Sequence, residues 1–226
     1  ETYLEAIEQS LNETPADAFG GPDCAHPSFN AMQKAISYAM TSFFTTGGIR
    51  GGKKKLDQFY PRSFNMGIRR DVFIKLDGFD TSMRYGEDID FSTRIIQAGY
   101  VTRLFPNAYV YHKRRTRLKQ FFRQVEHSGE ARIVLSQKYP STLKLVHCLP
   151  AVFVVGVIGL CLLGIFFPWL YSLLLLYVLL LFVDATCAYR GNIGIGILAV
   201  AASFTQLFGY GTGFIRAWWR WKMKKK

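Results

Sequence analysis

The chain has 226 residues, a net charge of +12 and a hydrophobic fraction of 50%, whereas only 19% of its residues are charged. This composition excludes an intrinsically disordered chain and a low-complexity fibre. The four cysteines form no C-x-x-C pair, and three of them lie in apolar stretches, so a disulfide scaffold or a zinc module is not expected.

Residues 1–144 are predicted to form an α/β domain, because helical and strand patterns alternate along them. The first half of the pattern predicts a helix through Leu4, Ile7 and Leu11, a short strand within 18–22, a helix at 29–44 and a glycine-rich basic loop at 46–58. The second half predicts a strand at 63–68, a short helix at 72–76 capped by Asp71, a helix after Gly86, strands at 100–105 and 108–111, and a helix at 117–138.

Residues 145–226 are predicted to form a membrane region. Residues 145–183 carry no formal charge, and a bilayer needs about 20 apolar helical residues for each crossing. We therefore predict helices at about 146–167 and 169–187, separated at Pro168. A third apolar segment at about 193–215 contains five glycines, which indicates either a third span packed through small residues or a helix lying in the interface.

The basic aromatic tail at 216–226 is predicted to lie on an anionic cytoplasmic leaflet. It places three tryptophans among six Lys and Arg residues, a pattern typical of interfacial anchors. Membrane lipids are therefore the expected partner of this charge, and nucleic acid is not. If the polar domain and the tail are both cytoplasmic, the number of spans is even, so two spans are favoured over three.

Residues 47–54 nearly match a phosphate-binding P-loop. Gly47, Gly52 and Lys53 fit the pattern G-x-x-x-x-G-K, but Lys54 follows where a Ser or Thr would hold Mg²⁺. No apolar helix follows either. The segment is better interpreted as a basic loop that closes over a phosphorylated substrate.

Three acidic residues, Glu87, Asp88 and Asp90, lie within four positions where a helix is predicted to begin. Acidic side chains at a helix N-terminus interact favourably with the macrodipole, by about 0.3–1 kcal/mol each. The cluster is therefore explained either by helix-end electrostatics or by a catalytic or metal-binding role. The residues alone leave both explanations open.

Four motifs in this region occur in the order found in one enzyme family. They are N-x-x-x-R-R at 65–70, Asp77-Gly78-Phe79-Asp80, Gly86-Glu87-Asp88-Ile89-Asp90 and Ala98-Gly99-Tyr100. Together they resemble family 2 glycosyltransferases, which have a Rossmann-like GT-A fold. Asp77 stands where that family usually has glycine. The resemblance implies that residues 1–144 are the acceptor-side half of a GT-A catalytic domain and that all-α transmembrane helices follow.

The resemblance implies an inverting, single-displacement transfer from a nucleotide-sugar donor. Asp88 matches the aspartate taken as the general base, while Glu87 and Asp90 would position the acceptor or a loop. His112 matches a histidine placed near a Mg²⁺ or Mn²⁺ ion and the diphosphate, although an ordinary histidine at a strand end is an equal alternative.

The segment 120–124 resembles the Q-x-x-R-W element of processive members of the family. Gln120 and Arg123 match, but Gln124 replaces the tryptophan that helps to hold the acceptor, so transfer of one or a few sugars is favoured. Arg114, Arg115 and Arg123 belong to a basic segment that we predict to bind the departing diphosphate. The same charges would equally serve to dock the domain on anionic lipid.

The family's metal motif, Asp-x-Asp, and its donor-binding half precede the segment that Glu1 to Leu4 resembles. The resemblance therefore implies a C-terminal fragment that is inactive alone. We expect an integral protein of a bacterial inner membrane that glycosylates a lipid-linked or envelope glycan acceptor on the cytoplasmic side. The alternatives are a processive polysaccharide synthase of the same family and a non-catalytic membrane scaffold.

Overall fold

The computed structural model describes residues 2–46 and 59–224. Its helices are α1 Tyr3–Glu13, α2 Ala31–Thr41, α3 Phe43–Thr46, α4 Arg70–Lys75, α5 Glu87–Gln97, α6 Leu118–Lys138, α7 Leu149–Gly164, α8 Tyr171–Ala188 and α9 Ile193–Lys224. Its strands are β1 Ala18–Gly20, β2 Asp23–Cys24, β3 Met66–Ile68, β4 Thr102–Leu104 and β5 Val110–Tyr111. The chain divides into two compact units, unit 1 (1–27 and 53–113) and unit 2 (28–52 and 114–226).

Unit 1 is built on a small mixed sheet. Strand β1 lies between β3, to which it is antiparallel, and β4, to which it is parallel. A parallel pair of β2 and β5 forms a second ribbon. Ala18, Phe91 and Ile95 are fully buried and form the core between the sheet and α5. The alternation of helices and strands predicted from the sequence is therefore confirmed.

The short helix α4 corrects one prediction of the sequence analysis. Asp71 was expected to cap it, but the helix begins at Arg70, and Arg69 occupies the N-cap position without a side-chain cap. Asp71 lies in the first turn, where its carboxylate binds the Arg69 guanidinium at 2.7 Å. Hydrogen bonds from Arg69 lower the pKa of Asp71 below its usual value. A cation one residue before the helix is thus the main partner of this carboxylate, and the backbone N–H groups of Asp71 and Val72 contribute less.

In unit 2, helices α6 and α9 pack with their backbones in close contact. A Cβ atom on Gly129 of α6 would lie 2.2 Å from the carbonyl oxygen of Tyr210, and one on Gly213 of α9 would lie 2.1 Å from that of Glu126. Only glycine permits such an approach at these positions. Glycines of the third apolar segment therefore form a helix–helix contact with α6.

The three apolar helices differ in length from the predicted ones. The first predicted helix, at 146–167, is shorter in the structure, where α7 has 16 residues. The predicted third segment and residues 216–224 of the basic tail belong to one continuous helix, α9, of 32 residues, so the described part of the tail is not a separate element. Within the described residues, α9 and the helical stretch Pro168–Ala188 are long and apolar enough to cross a membrane.

Tyrosines fix the segment of α2 and α3 to α8 within unit 2. The Tyr189 hydroxyl donates to the carbonyl of Lys34 at 2.8 Å, and the Tyr177 hydroxyl donates to that of Phe44 at 3.0 Å. Between them, the Tyr38 hydroxyl donates to the Asp184 carboxylate at 2.5 Å. Burial raises the pKa of Tyr38 well above its usual value, and the bond to Asp184 adds to this effect. The phenol therefore stays protonated and continues to donate.

Candidate active site

The three acidic residues lie at the N-terminus of α5, as the sequence predicts, but their surroundings differ. Gly86 precedes the helix with φ of 81°, a left-handed conformation that favours glycine. Glu87 is partly exposed, whereas Asp88 and Asp90 are buried. A buried carboxylate is stable only with ion-pair or hydrogen-bond partners. The partners of Asp88 and Asp90 therefore indicate whether each has a structural role or is available to a substrate.

Asp90 is held in an ion pair inside unit 1. It is fully buried, and its carboxylate lies 3.0 Å from Nε of Arg94, one turn further along α5. The same guanidinium donates to the carbonyls of Leu76 and Gly78, in the loop that follows α4. Asp90 and Arg94 therefore tie the start of α5 to the loop of the Asp77-Gly78-Phe79-Asp80 motif.

Asp88 lies against a different arginine, Arg62, which the sequence analysis did not single out. Nε of Arg62 is 2.8 Å from Oδ2 of Asp88, and the two side chains are 35% and 11% exposed. This N–H makes no aligned hydrogen bond. Oδ1 of Asp88 accepts the backbone N–H of Ile89 at 2.8 Å. The only sequence signal for this contact is the position of Arg62 just before the N-x-x-x-R-R motif.

Asn65, the first residue of the N-x-x-x-R-R motif, links several segments of unit 1 through side-chain hydrogen bonds. Its side-chain amide donates to the carbonyl of Ala108 at 2.8 Å, and its amide oxygen accepts the Tyr3 hydroxyl at 2.6 Å. It is 4% exposed. Asn65 therefore connects α1, the segment before β3 and the segment before β5, which explains why the motif begins with an amide side chain.

His112 follows β5 and faces β2. Its Nδ1 is 3.9 Å from a carboxylate oxygen of Asp23, and its ring stacks on Phe64 with the ring centroids 4.8 Å apart. Among residues 2–46 and 59–224, no group of three His, Cys, Asp or Glu side chains converges as a ready metal site. His112 and Asp23 thus place one imidazole nitrogen and one carboxylate oxygen beside the parallel pair of β2 and β5.

The basic segment of unit 2 is partly helical, and the helix predicted at 117–138 is confirmed as α6. Helix α6 begins at Leu118, so Arg114 and Arg115 precede it. Arg114 is 6% exposed, and its carbonyl accepts a hydrogen bond from the buried Gln33 amide. Arg115 is exposed and donates from Nε to the Gln124 side chain at 3.1 Å. Gln124, at the position of the family's tryptophan, is therefore bonded to a neighbouring arginine.

A sequence profile of the Glycosyl transferase family group 2 matches residues 63–185. The match covers more than half of the chain and includes the acidic turn with its buried carboxylates. The chain belongs to glycosyltransferase family 2. No curated protein matches it. Membership brings a GT-A type fold, glycosyl transfer as the general activity and, in general terms, binding of a nucleotide-sugar donor and an acceptor.

In this glycosyltransferase the predicted site residues divide between the two units. Glu87, Asp88, Asp90 and His112 belong to unit 1, and the acceptor and diphosphate residues Arg114, Arg115, Gln120, Arg123 and Gln124 belong to unit 2. Gln120 and Arg123 are exposed on the first turns of α6. The near-match to a P-loop, at 47–54, lies outside the described residues.

Proposed function

We propose that this family 2 glycosyltransferase transfers a sugar, with inversion, from a nucleotide-sugar to a lipid-linked or envelope glycan acceptor. The observation that carries the proposal is the state of Asp88. Its carboxylate lies at the N-terminus of α5 and is buried but not sealed, because 11% of the side chain is exposed. A residue so placed can be reached by a substrate hydroxyl, whereas Asp90 cannot, because it is fully buried.

In the proposed reaction Asp88 is the general base. It accepts the proton of the acceptor hydroxyl while that oxygen forms a bond to the anomeric carbon of the donor sugar. The bond from this carbon to the diphosphate breaks, and its electron pair leaves with the nucleoside diphosphate. Attack opposite the leaving group inverts the anomeric centre. Glu87, partly exposed beside Asp88, is then placed to position the acceptor.

For the divalent cation implied by the family, Mg²⁺ or Mn²⁺, we propose the Asp23 carboxylate as an oxygen ligand, with His112, the predicted metal residue, beside it. Such an ion would neutralise the charge that develops on the departing diphosphate. His112 is held by stacking on Phe64, which restricts the orientation of its ring. For the diphosphate itself we propose the exposed Arg115 and Arg123; the role predicted for the buried Arg114 stays a prediction.

Transfer of one or a few sugars is favoured over processive synthesis. Processive members use a tryptophan where this chain has Gln124, and the Gln124 side-chain oxygen accepts the hydrogen bond from Arg115. An amide bonded to an arginine offers no flat apolar face on which a glycan could slide. Gln120 and Arg123 would in this proposal contact a single acceptor unit.

We further propose that unit 2 anchors the enzyme in a bacterial inner membrane, with the catalytic domain on the cytoplasmic side. Large apolar side chains along α8, including Leu175, Leu176 and Leu179, are exposed, and such a surface is stable in lipid rather than in water. Lys222 lies over the rings of Trp218 and Trp221 at the end of α9, an arrangement suited to anionic head groups. Extraction of membranes with alkaline carbonate should leave the protein in the pellet, and release into the supernatant would refute the anchor.

The test of the proposed base is Asp88→Asn in the complete protein encoded by the gene. Membranes would be assayed for nucleoside-diphosphate release from UDP-glucose, UDP-N-acetylglucosamine and GDP-mannose in turn, with endogenous acceptors. Loss of the base should lower kcat by about 10²–10⁴-fold while the melting temperature stays unchanged. Asp71→Asn, an exposed carboxylate in the same unit, is the matched control and should retain activity.

Full activity of Asp88→Asn would refute the assignment of the base. If wild-type membranes form a polymer of many sugars, the processive alternative replaces transfer of one or a few. If wild-type protein releases no nucleoside diphosphate from any nucleotide-sugar, the non-catalytic scaffold is the correct interpretation.

A further inference from the structure

Arg62 is the cation in contact with the proposed base, and neither the family motifs nor the sequence analysis assigns it a role. We infer that Arg62 is a positioning residue: it holds the Asp88 carboxylate in the orientation from which it accepts the proton of the acceptor hydroxyl. The inference rests on the proposed role of Asp88, and it adds a second residue whose loss impairs that role.

The segment that carries Arg62 is fixed to α5 immediately beside the contact. The carbonyl of Pro61, a fully buried residue, accepts a hydrogen bond at 2.7 Å from the hydroxyl of Ser92, which is also fully buried. Ser92 is four residues after Asp88, so both lie on the same face of the helix. Pro61 therefore contacts α5 at Ser92, and Arg62, the next residue, contacts it one turn earlier at Asp88.

The other side of Arg62 is fixed as well. The backbone N–H of Asn65 donates to the carbonyl of Arg62 at 2.9 Å, which closes a tight turn. The Asn65 side chain is itself held by Tyr3 and by the carbonyl of Ala108. The backbone of Arg62 is thus held on both sides by buried groups, and its position does not depend on the ion pair.

The contact with Asp88 leaves room for chemistry. Arg62 lies at Oδ2 and the Ile89 N–H at Oδ1, so the carboxylate plane is constrained through both oxygens. Each oxygen of a carboxylate offers two lone pairs, and one on each remains for a substrate proton. The Arg62 N–H is close without being aligned as a hydrogen bond, and such contacts often tighten only when substrate binds.

A purely structural role is the main alternative, and the geometry separates the two. Arg94 is the structural arginine of α5, because it binds Asp90 and also two backbone carbonyls. Arg62 is more exposed, and Asp88 is its one ion pair among the described residues. The guanidinium of Arg62 is partly exposed, and solvent screens its interaction with the buried Asp88 more than it screens the Asp90–Arg94 pair. Loss of Arg62 should therefore affect activity far more than stability.

The experiment compares Arg62→Ala and Arg62→Lys with Arg103→Ala, an exposed arginine on β4 that serves as the matched control. Nucleoside-diphosphate release is measured with the donors named above, in membranes containing the complete protein. Misplacement of a catalytic group by about 1 Å costs roughly 10²-fold in rate. We expect Arg62→Ala to lower kcat by about that factor with an unchanged KM for the donor, in a protein whose melting temperature stays above the assay temperature. Arg62→Lys should retain part of the rate, and added guanidinium chloride at millimolar concentration should partly rescue Arg62→Ala.

The double variant Arg62→Ala/Asp88→Asn distinguishes action through Asp88 from independent action. If Arg62 works by orienting Asp88, its removal should have no further effect once the base is gone. The inference is overturned by additive losses in the double variant, by a change confined to the donor KM, which would make Arg62 a diphosphate ligand, or by full activity of Arg62→Ala beside an inactive Asp88→Asn. Full activity of Asp88→Asn is a different result, because it removes the proposed base and the inference together.

Discussion

The acidic turn of unit 1 and the α6–α9 contact of unit 2 are ordered by opposite means. At the turn, the order comes from charged side chains. The Arg94 guanidinium donates hydrogen bonds to two backbone carbonyls, and the Asp90 carboxylate is its counter-charge. In the helix contact, the order comes from the absence of side chains, because Gly129 and Gly213 allow the backbones of α6 and α9 to approach closely. The first arrangement is directional and polar, and the second depends on steric fit.

The difference shows how each region tolerates change. The Asp90–Arg94 pair, called the polar clamp below, is destabilised when one partner is removed, because the other is left buried without its counter-charge. A glycine contact fails when an atom is added, because a close-packed backbone cannot move aside locally. Deletions should therefore be most damaging in the acidic turn, and additions in the helix contact.

The largest effect on stability is expected from Asp90→Ala, which tests the polar clamp. It removes the counter-charge of Arg94, whose side chain is only 23% exposed, and this should lower the free energy of unfolding by about 3–5 kcal/mol. Chemical denaturation in detergent measures the change. Asp71→Ala, at an ion pair that solvent screens, should lower the free energy of unfolding far less; equal losses in the two variants would refute the clamp.

A smaller loss is expected from Gly213→Val, which tests the helix contact by adding atoms. A Cβ at this position would lie 2.1 Å from the carbonyl oxygen of Glu126, and overpacking of this kind typically costs about 1–3 kcal/mol. Gly159→Val in α7 is the control, because a Cβ there meets no atom within 4 Å. Comparable melting temperatures for both variants would mean that α6 and α9 do not pack through their glycines.

A partly buried hydrogen bond inside unit 2, between Tyr38 and Asp184, combines features of the two regions. Tyr38→Phe removes the buried hydroxyl that donates to the Asp184 carboxylate, whose own residue is exposed, and a hydrogen bond to a charged group contributes about 1.5–3 kcal/mol. Tyr189→Phe removes a bond to the neutral carbonyl of Lys34 and should cost about 1 kcal/mol. Thermal melting of the two variants in detergent decides between them. A larger loss for Tyr189→Phe would contradict the importance of the charged acceptor.

The sequence predicted the acidic turn well because its parts are local. Gly86 and the three acidic residues are consecutive or nearly so, and the start of a helix follows from them. The partners of the acids were not predictable: Arg62 is 26 positions before Asp88, and only the register set by Pro61 and Ser92 places it there. A long-range ion pair leaves no periodic signal in a single sequence.

The same limit explains the third apolar segment. Glycine lowers helix propensity, and the sequence left open whether this segment is a span packed through small residues or a helix lying in the interface. In the structure, Gly209 and Gly213 face α6, and Gly211 faces the carbonyl of Pro150 at the start of α7. Packing on two neighbouring helices overrides the local preference. Intrinsic propensity could not show this, because the stabilising partners lie elsewhere in the chain.

The smallest effect on stability is expected from the charged side chains at the border of the α6–α9 contact. These ion pairs add a polar interaction to a contact that otherwise depends on steric fit. Arg216 of α9 binds Glu130 at 2.6 Å and Glu126 at 3.0 Å. Burial alone would raise the pKa of Glu130, but hydrogen bonds from Arg216 and His127 outweigh it, and the pKa is lowered overall. A carboxyl group that is more acidic when folded stabilises the protein above its unfolded pKa, and this contribution is lost as the pH falls through the lowered value.

Stability should therefore decline below about pH 4.5, the ordinary value for a glutamate, and part of that decline should be absent in Glu130→Gln. The part that belongs to Glu130 should be under about 1 kcal/mol, since the arginine is half-exposed and solvent screens the pair. Melting temperatures of both proteins between pH 3 and pH 7 measure it. If the melting temperatures of both proteins depend on pH in the same way, the ion pairs of Glu130 do not stabilise the contact. Steric fit at the glycines would then be sufficient to hold α6 against α9.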